Sequence, residues 1–267
     1  MQQEAAATDK KEANNLRVIA LASGLTGLDN NMTYAVWQPF ILSLGASMST
    51  LGLLESLGGQ SGIVTTLVQP IGGWLCDRFG RKPLIVLGDL ALVAAGVMVL
   101  VAAVSGDWRW LLPVVILVGA TMIAGPAEKS LVAESSEARE RGMAYSICVA
   151  ARMAPGVFAP ILGGFLAKHW GYSRFFVLRL GLDVIVLLLV LSLLRETISV
   201  YRGMSSLKEL LPLLPKMVVP PRQPRSLFWV SAADMFAWGL AGFILLPGRE
   251  RNRGCAWKDR RRYSGRH

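Results

Sequence analysis

Charge is scarce in this chain. Only 17% of its 267 residues are Asp, Glu, Lys or Arg, whereas a soluble domain carries about a quarter. Histidine is nearly absent: His169 and His267 stand alone, so no histidine metal cluster or histidine-based catalytic pairing is expected. The three cysteines, Cys76, Cys148 and Cys255, show no paired or metal spacing and read as small apolar residues. There is no phosphate-cradling glycine loop and no nucleophile elbow. The expectation is therefore no metal, no cofactor and no enzymatic reaction. What fills the chain instead is apolar. Hydrophobic residues make up 53%, and the mean hydropathy is +0.45. The apolar residues fall in runs long enough to cross a bilayer, about 20 residues each. An all-α, multi-pass membrane protein is the expected class, with the lipid bilayer as its surroundings. The formal net charge is +10. Outside the two ends of the chain, most basic residues lie in loops between apolar runs, which suits an anionic membrane face, and no nucleic-acid partner is expected.

Two apolar runs meet at Gly73-Trp-Leu-Cys-Asp77-Arg78-Phe-Gly80-Arg81-Lys82-Pro83. So short a charged loop between two long apolar runs makes a transmembrane hairpin. Gly73 and Gly80 allow close approach and a tight turn. Asp77 can bond the free amides of a neighbouring helix start. Arg78, Arg81 and Lys82 hold the loop at the cytoplasmic face. Charge alone would make this an ordinary positive-inside loop. The full spacing, Gly-x-x-x-Asp-Arg-x-Gly-Arg-Lys, is more specific. It resembles the signature loop between the second and third helices of the major facilitator superfamily of secondary transporters, and it matches at every motif position. The resemblance implies a six-helix N-terminal bundle made of two inverted three-helix repeats. It also implies that Gly73, Asp77, Arg78, Gly80, Arg81 and Lys82 act as a latch between transporter halves and do not bind substrate.

Taken in order, the chain gives six spans. Residues 1–16 read as a polar, disordered cytoplasmic tail. The first span, Val18 to Leu42, holds Asp29, Asn30 and Asn31 near mid-membrane, where polar groups are costly unless they face other helices or water. They serve either as glue between helices or as a substrate- or proton-facing site. Gln38 precedes Pro39, a candidate kink. The second span, Leu51 to Cys76, is rich in glycine, which suits close packing in lipid; Glu55 is expected to be solvated at its outer end. The third span, Pro83 to Val104, carries Asp89, expected to pair with the basic loop. The fourth, Trp110 to Leu131, ends in Glu128-Lys129. Many family members carry an arginine here; this span has none before Lys129, so the resemblance implies no arginine-based coupling through it. The next loop, with Glu134, Arg139 and Arg141-Gly142, resembles its counterpart in the family. The fifth span, Met143 to Leu166, buries Arg152, whose expected partner is Asp29, Glu128 or Asp183. Its Pro160, Gly163 and Gly164 resemble the family's antiporter motif, with alanine at its first glycine; a bent packing helix explains them equally. In the sixth, Phe175 to Leu194, Arg179 and Asp183 are four apart and can neutralise each other. Arg195-Glu196-Thr197 resembles the family's acidic motif after this helix.

The second and fifth spans end alike. Pro70-Ile-Gly72-Gly73 followed by Phe79-Gly80-Arg81 parallels Pro160-Ile-Leu-Gly163-Gly164 followed by Trp170-Gly171. Such a repeat suits inverted three-helix units. Lys and Arg concentrate in one set of loops and place the N-terminus in the cytoplasm of a cell-membrane protein. Residues 17–197 are the expected bundle, 198–225 a proline-rich cytoplasmic linker, 226–247 a seventh span and 248–267 an irregular basic tail. That tail breaks the charge rule and reads as a shifted reading frame or a truncation, or else as a basic segment for anionic lipid or nucleic acid.

The expected function is alternating-access transport of a small molecule, with H+ as coupling ion and efflux of a drug-like or amphipathic metabolite. Asp29, Asn30, Gln38, Arg152 and Asp183 are the candidate substrate or proton cavity. Uptake of a sugar or organic anion is the alternative substrate reading. A truncated, non-transporting membrane protein or scaffold is the alternative class.

Overall fold

A computed structural model describes residues 2–58, 62–196, 229–234 and 236–237. Contacts divide the chain into one unit up to Leu210 and a second from Leu211. In the first unit the described residues form nine α-helices and no strand: α1 (Gln2–Ser43), α2 (Met48–Gly58), α3 (Ile63–Phe79), α4 (Arg81–Ser105), α5 (Leu111–Ala120), α6 (Gly125–Glu134), α7 (Arg141–Met153), α8 (Ala159–Trp170) and α9 (Tyr172–Leu193). Short 3-10 segments join α4 to α5, α5 to α6 and α7 to α8. By length and composition Arg81–Ser105, Trp108–Glu134 and Tyr172–Leu193 can each cross a membrane. The pair Arg141–Val157 and Ala159–Trp170, bent by 44°, makes a fourth. With 11 and 17 residues, α2 and α3 are each shorter than a span, and residues 59–61 between them lie outside the described ones. The outside of the spans is apolar: Leu87, Leu90 and Val101 of α4 and Val177, Ile185 and Leu188 of α9 are exposed. Water would not tolerate so continuous an apolar surface, whereas lipid tails do. The protein is an all-α membrane protein.

The first helix corrects one expectation. Residues 2–16 are not an irregular tail: α1 begins at Gln2 and runs unbroken through Asp29-Asn30-Asn31 and Pro39. Gln, Glu, Ala and Lys dominate its start and are strong helix formers, so polarity there does not mean disorder. In the second unit, residues 229–234 and 236–237 are helical, within the expected seventh span. The expected linker at 198–225, the rest of 226–247 and the tail at 248–267 lie outside the described residues, as does Thr197.

Close backbone contact sets the packing. A Cβ on Gly72 would overlap the backbone of Ile123, and a Cβ on Gly163 would overlap that of Met32. Gly27 likewise lies against the Arg152 backbone and Gly58 against Val115. Side-chain-free crossings of this kind hold helices together where lipid removes the hydrophobic drive. They set α1 against α7 and α8, and α2 and α3 against α5 and the 3-10 segment after it. Between the two groups, α4 packs along α9. The repeat seen in sequence returns here in geometry. Gly80 (φ 92°) and Gly171 (φ 80°) both make the turn into the next helix in a conformation open to glycine. Eight residues before each sits a glycine in backbone contact, Gly72 or Gly163.

Candidate functional site

The basic loop divides into an inward and an outward set. Inward, the backbone amides of Arg81 and Lys82 donate to the Glu196 carboxylate at 3.1 and 3.0 Å. A carboxylate at a helix start meets unpaired amides and the positive end of the helix dipole. Asp77 was expected to do this; Glu196 does it instead, because Asp77 sits on the exposed side of the last turn of α3. The Arg81 guanidinium grips Glu134 through Nη2 at 2.7 Å and Nε at 3.1 Å, and its Nη1 reaches the Cys76 carbonyl at 3.3 Å. Lys82 Nζ donates to the Leu191 carbonyl at 2.9 Å. These bonds tie α3, α4, α6 and the end of α9 together. Asn15 adds α1: its side chain donates to the Arg195 carbonyl at 3.0 Å and accepts from the Arg195 amide at 3.1 Å. Outward, Asp77 and Arg78 are exposed, and Arg78 stacks over Trp74 at 5.4 Å and Phe79 at 5.6 Å. A Cβ at Gly73 would meet nothing within 4 Å.

Asp29 and Arg179 meet inside the bundle. Arg179 Nε donates to both oxygens of Asp29 at 3.1 and 3.2 Å, and the two side chains are only 6% and 3% exposed. Arg179 was expected to neutralise Asp183 one turn away. Asp183 does lie within its electrostatic reach, yet the hydrogen bonds go to α1, because Asp29 projects from the facing helix. Asp183 is 4% exposed, and its Oδ2 makes no hydrogen bond. Asn31 bonds its own helix, donating to the Gly27 carbonyl at 2.7 Å. Asn30 is exposed and Gln38 half-buried; neither joins the ion group.

A small cavity opens among α1, α4, α6, α7 and α9. Its polar lining is Ser23, Thr26, Asp89, Glu128 and Arg152. Of the five residues expected to share a cavity, only Arg152 lines this one. Asp29 and Asp183 are buried outside its lining, and Asn30 and Gln38 lie elsewhere on α1. Among the partners considered for Arg152, Glu128 shares the cavity and the electrostatic contact. Asp89 is corrected too: it faces this cavity and not the basic loop, since Arg81 of that loop is taken by Glu134. Glu55 is not simply solvated, because its Oε1 accepts from Trp37 Nε1 at 2.9 Å. Pro160 stands in the first turn of α8, where a missing amide costs nothing. Gly163 packs on α1, and Gly164 faces open space.

Comparison with known proteins agrees with this architecture. The family model described as "Major Facilitator Superfamily" matches residues 19–249. The multidrug resistance protein MdtG of Klebsiella pneumoniae is 29% identical over 244 residues, covering 86% of this chain and 55% of that protein. The methyl viologen resistance protein SmvA of Salmonella typhimurium is 28% identical over 174 residues, covering 64% of this chain and 34% of that protein. Among solved structures, a peptide transporter POT in complex with alafosfalin superposes with a TM-score of 0.59 at 17% identity, covering 86% of this chain and 48% of that one. The human organic anion transporter MFSD10 gives 0.58 at 18%, covering 73% and 50%. At these identities the structures establish the fold alone. This chain spans about a third to a half of the curated relatives it matches. With the loop motif intact, the bundle shared and the family model matching most of its length, the chain belongs to the Major Facilitator Superfamily, a family of membrane transporters and not of enzymes.

Proposed function

We propose that this chain supplies the six-span half of a secondary transporter that works by alternating access, and that it exports a drug-like or amphipathic compound in exchange for protons. The observation that carries the reading is the Asp29–Arg179–Asp183 group, buried inside an apolar bundle. Ionisable groups in a membrane interior are costly and mark ion or substrate paths. Relatives named for multidrug and methyl viologen resistance support the direction and the substrate class. Glu128 shares the cavity with Arg152, so this guanidinium is not left free to clamp a substrate carboxylate. That weighs against organic-anion uptake. The lysine and arginine bias supports a cell-membrane orientation with the N-terminus in the cytoplasm. In this reading residues 17–197 form the bundle, 198–225 the linker and 226–247 the first helix of a second half. Gly73, Asp77 and Arg78 present the latch face, while Gly80, Arg81 and Lys82 brace it. Asn30 and Gln38 contribute polar groups from α1, and the bend before Pro160, Gly163 and Gly164 shapes the fifth span.

The test is efflux of ethidium from vesicles containing the chain, driven by an imposed pH gradient. The expected result is gradient-dependent efflux that a protonophore abolishes and that Asp77→Asn cripples while the variant stays in the membrane. Asp77→Asn at the wild-type rate would overturn the latch. A second reading is a membrane protein that does not transport alone. Correctly inserted chain with no proton-linked flux would establish that reading instead.

A further inference from the structure

The described spans enclose more acid than base. Asp29, Asp89, Glu128 and Asp183 face two cations, Arg179 and Arg152. Arg179 is engaged by Asp29, and Arg152 shares its cavity with Glu128. Asp183 feels Arg179 through space but its Oδ2 has no hydrogen bond, and Asp89 has no cation bonded to it. The two aspartates lie within electrostatic reach of each other, and the Oδ2 of Asp89, like that of Asp183, is buried without a hydrogen bond. Among the described side chains, the other cations on the helices packed against them are exposed or bonded elsewhere. On α9 the remaining charge, Arg174, is exposed, as are Asp77 and Arg78 of α3 and Lys168 and His169 of α8; α5 and the 3-10 segment after it carry none; on α6 Glu128 faces in and Lys129 is exposed; α1 offers Ser23 and Thr26 to the cavity. Two carboxylates with no cation bonded to them, in a lipid-surrounded interior, are far less favourable than two neutral acids. A protonated carboxyl also gains a donor where the ionised one has a stranded acceptor.

We infer that Asp89 and Asp183 are a two-station proton site inside the bundle, with Asp89 in the cavity wall as the station that exchanges with water and Asp183 as the buried station outside the cavity lining. Each station binds a proton at a carboxylate oxygen and releases it as water-borne H+. Asp29 stays ionised as the anchor of Arg179. The row Asp29–Arg179–Asp183–Asp89–Glu128–Arg152 then joins α1, α9, α4, α6 and α7 through charge. The transport use of this site rests on the proton-coupled reading above; the protonation itself does not.

The experiment is infrared titration of the full chain in lipid nanodiscs, reading the carbonyl stretch of protonated carboxyl groups against pH. Two such bands are expected near neutral pH. Uniform carbon-13 labelling of aspartate should shift both, which requires no substitution. Asp89→Asn should remove one band and Asp183→Asn the other, with helix content unchanged by circular dichroism. Glu128→Gln frees Arg152 for Asp89, so the Asp89 band should vanish at neutral pH and return only in more acid solution. Bands that aspartate labelling leaves in place would overturn the assignment. So would bands lost on adding sodium at constant pH, which would make the site a metal-cation site. Bands as expected with no ethidium efflux would keep the proton site and remove the transport reading; efflux with no such bands would do the reverse.

Discussion

Replacing Asp29 by asparagine takes the hydrogen-bonded counterion from Arg179 and keeps the shape of the side chain. The two groups are 3% and 6% exposed, so water cannot step in. Removing one partner of a buried ion pair costs about 3–5 kcal/mol, because a bare charge stays behind. The hydrogen bonds alone would account for much less, since polar contacts between membrane helices average about 0.6 kcal/mol. The charge therefore decides the outcome. Asp183, one turn from Arg179 and without a hydrogen bond at Oδ2, can shift toward the orphaned guanidinium. That places the expected loss at the low end, about 3 kcal/mol. Arg179→Met should cost less, because an abandoned carboxyl can take up a proton where a guanidinium cannot release one. The double variant Asp29→Asn/Arg179→Met leaves neither charge and should recover about 2 kcal/mol relative to the sum of the singles. Unfolding of the purified chain in mixed micelles, followed by helix circular dichroism against added dodecyl sulfate, reads all four corners of the cycle. An additive cycle, or Asp29→Asn costing less than about 1 kcal/mol, would refute the view that this pair holds α1 to α9.

The other expectations concern packing and the braced loop. Gly72→Ala and Gly163→Ala should each lower stability by at least about 2 kcal/mol, as overpacking against backbone does, while Gly73→Ala and Gly164→Ala, whose added methyls meet nothing within 4 Å, should leave the same melting curve unmoved. Glu196→Ala releases both amides at the start of α4 and should cost about 1 kcal/mol, with faster amide exchange at Arg81 and Lys82 by hydrogen-exchange mass spectrometry. Trp37→Phe keeps an aromatic ring but removes the donor to Glu55 together with half of the indole; at least about 1 kcal/mol should go, and Glu55→Gln in that background should cost nothing further.

Periodicity and motif carried far in this chain. The apolar runs gave the third to sixth spans to within a few residues, because lipid demands long uninterrupted helices, whereas the second run falls on the two shorter helices α2 and α3. The paired Pro-Gly endings of the second and fifth spans foretold two equivalent turns, since only glycine fits their positive φ. What stayed hidden was tertiary. The spacing of Arg179 and Asp183 favours a local pair, yet the stronger partner is Asp29, 150 positions away, and nothing in local sequence reports which face α9 turns to α1. Asp89 was read against its chain neighbours in the basic loop, while its real surroundings come from α6 and α7. The same holds for Glu55 and Trp37, which belong to different helices. The start of α1 was missed for another reason: its residues are polar and also strong helix formers, and hydropathy registers only the first property.

The two equivalent turns differ in what surrounds them. Gly80 and Gly171 share one backbone conformation, so the repeat fixes how the chain reverses and not how firmly the reversal is held. A Cβ at Gly80 would lie 2.7 Å from the Glu196 carboxylate, while one at Gly171 would meet nothing within 4 Å. The difference follows from charge. The Gly80 turn leads into Arg81 and Lys82, whose amides and side chains find Glu196, Glu134 and the Leu191 carbonyl. After Gly171 come Tyr172 and Ser173, and the next base, Arg174, lies exposed. One copy of the turn is therefore cross-linked to α6 and to the end of α9 and forms one braced block with them. Because Asp77 and Arg78 stand on that block without entering it, any force applied to them from outside is passed to α3, α4, α6 and α9 together. That is the mechanical condition for a surface motif to report the position of the whole bundle.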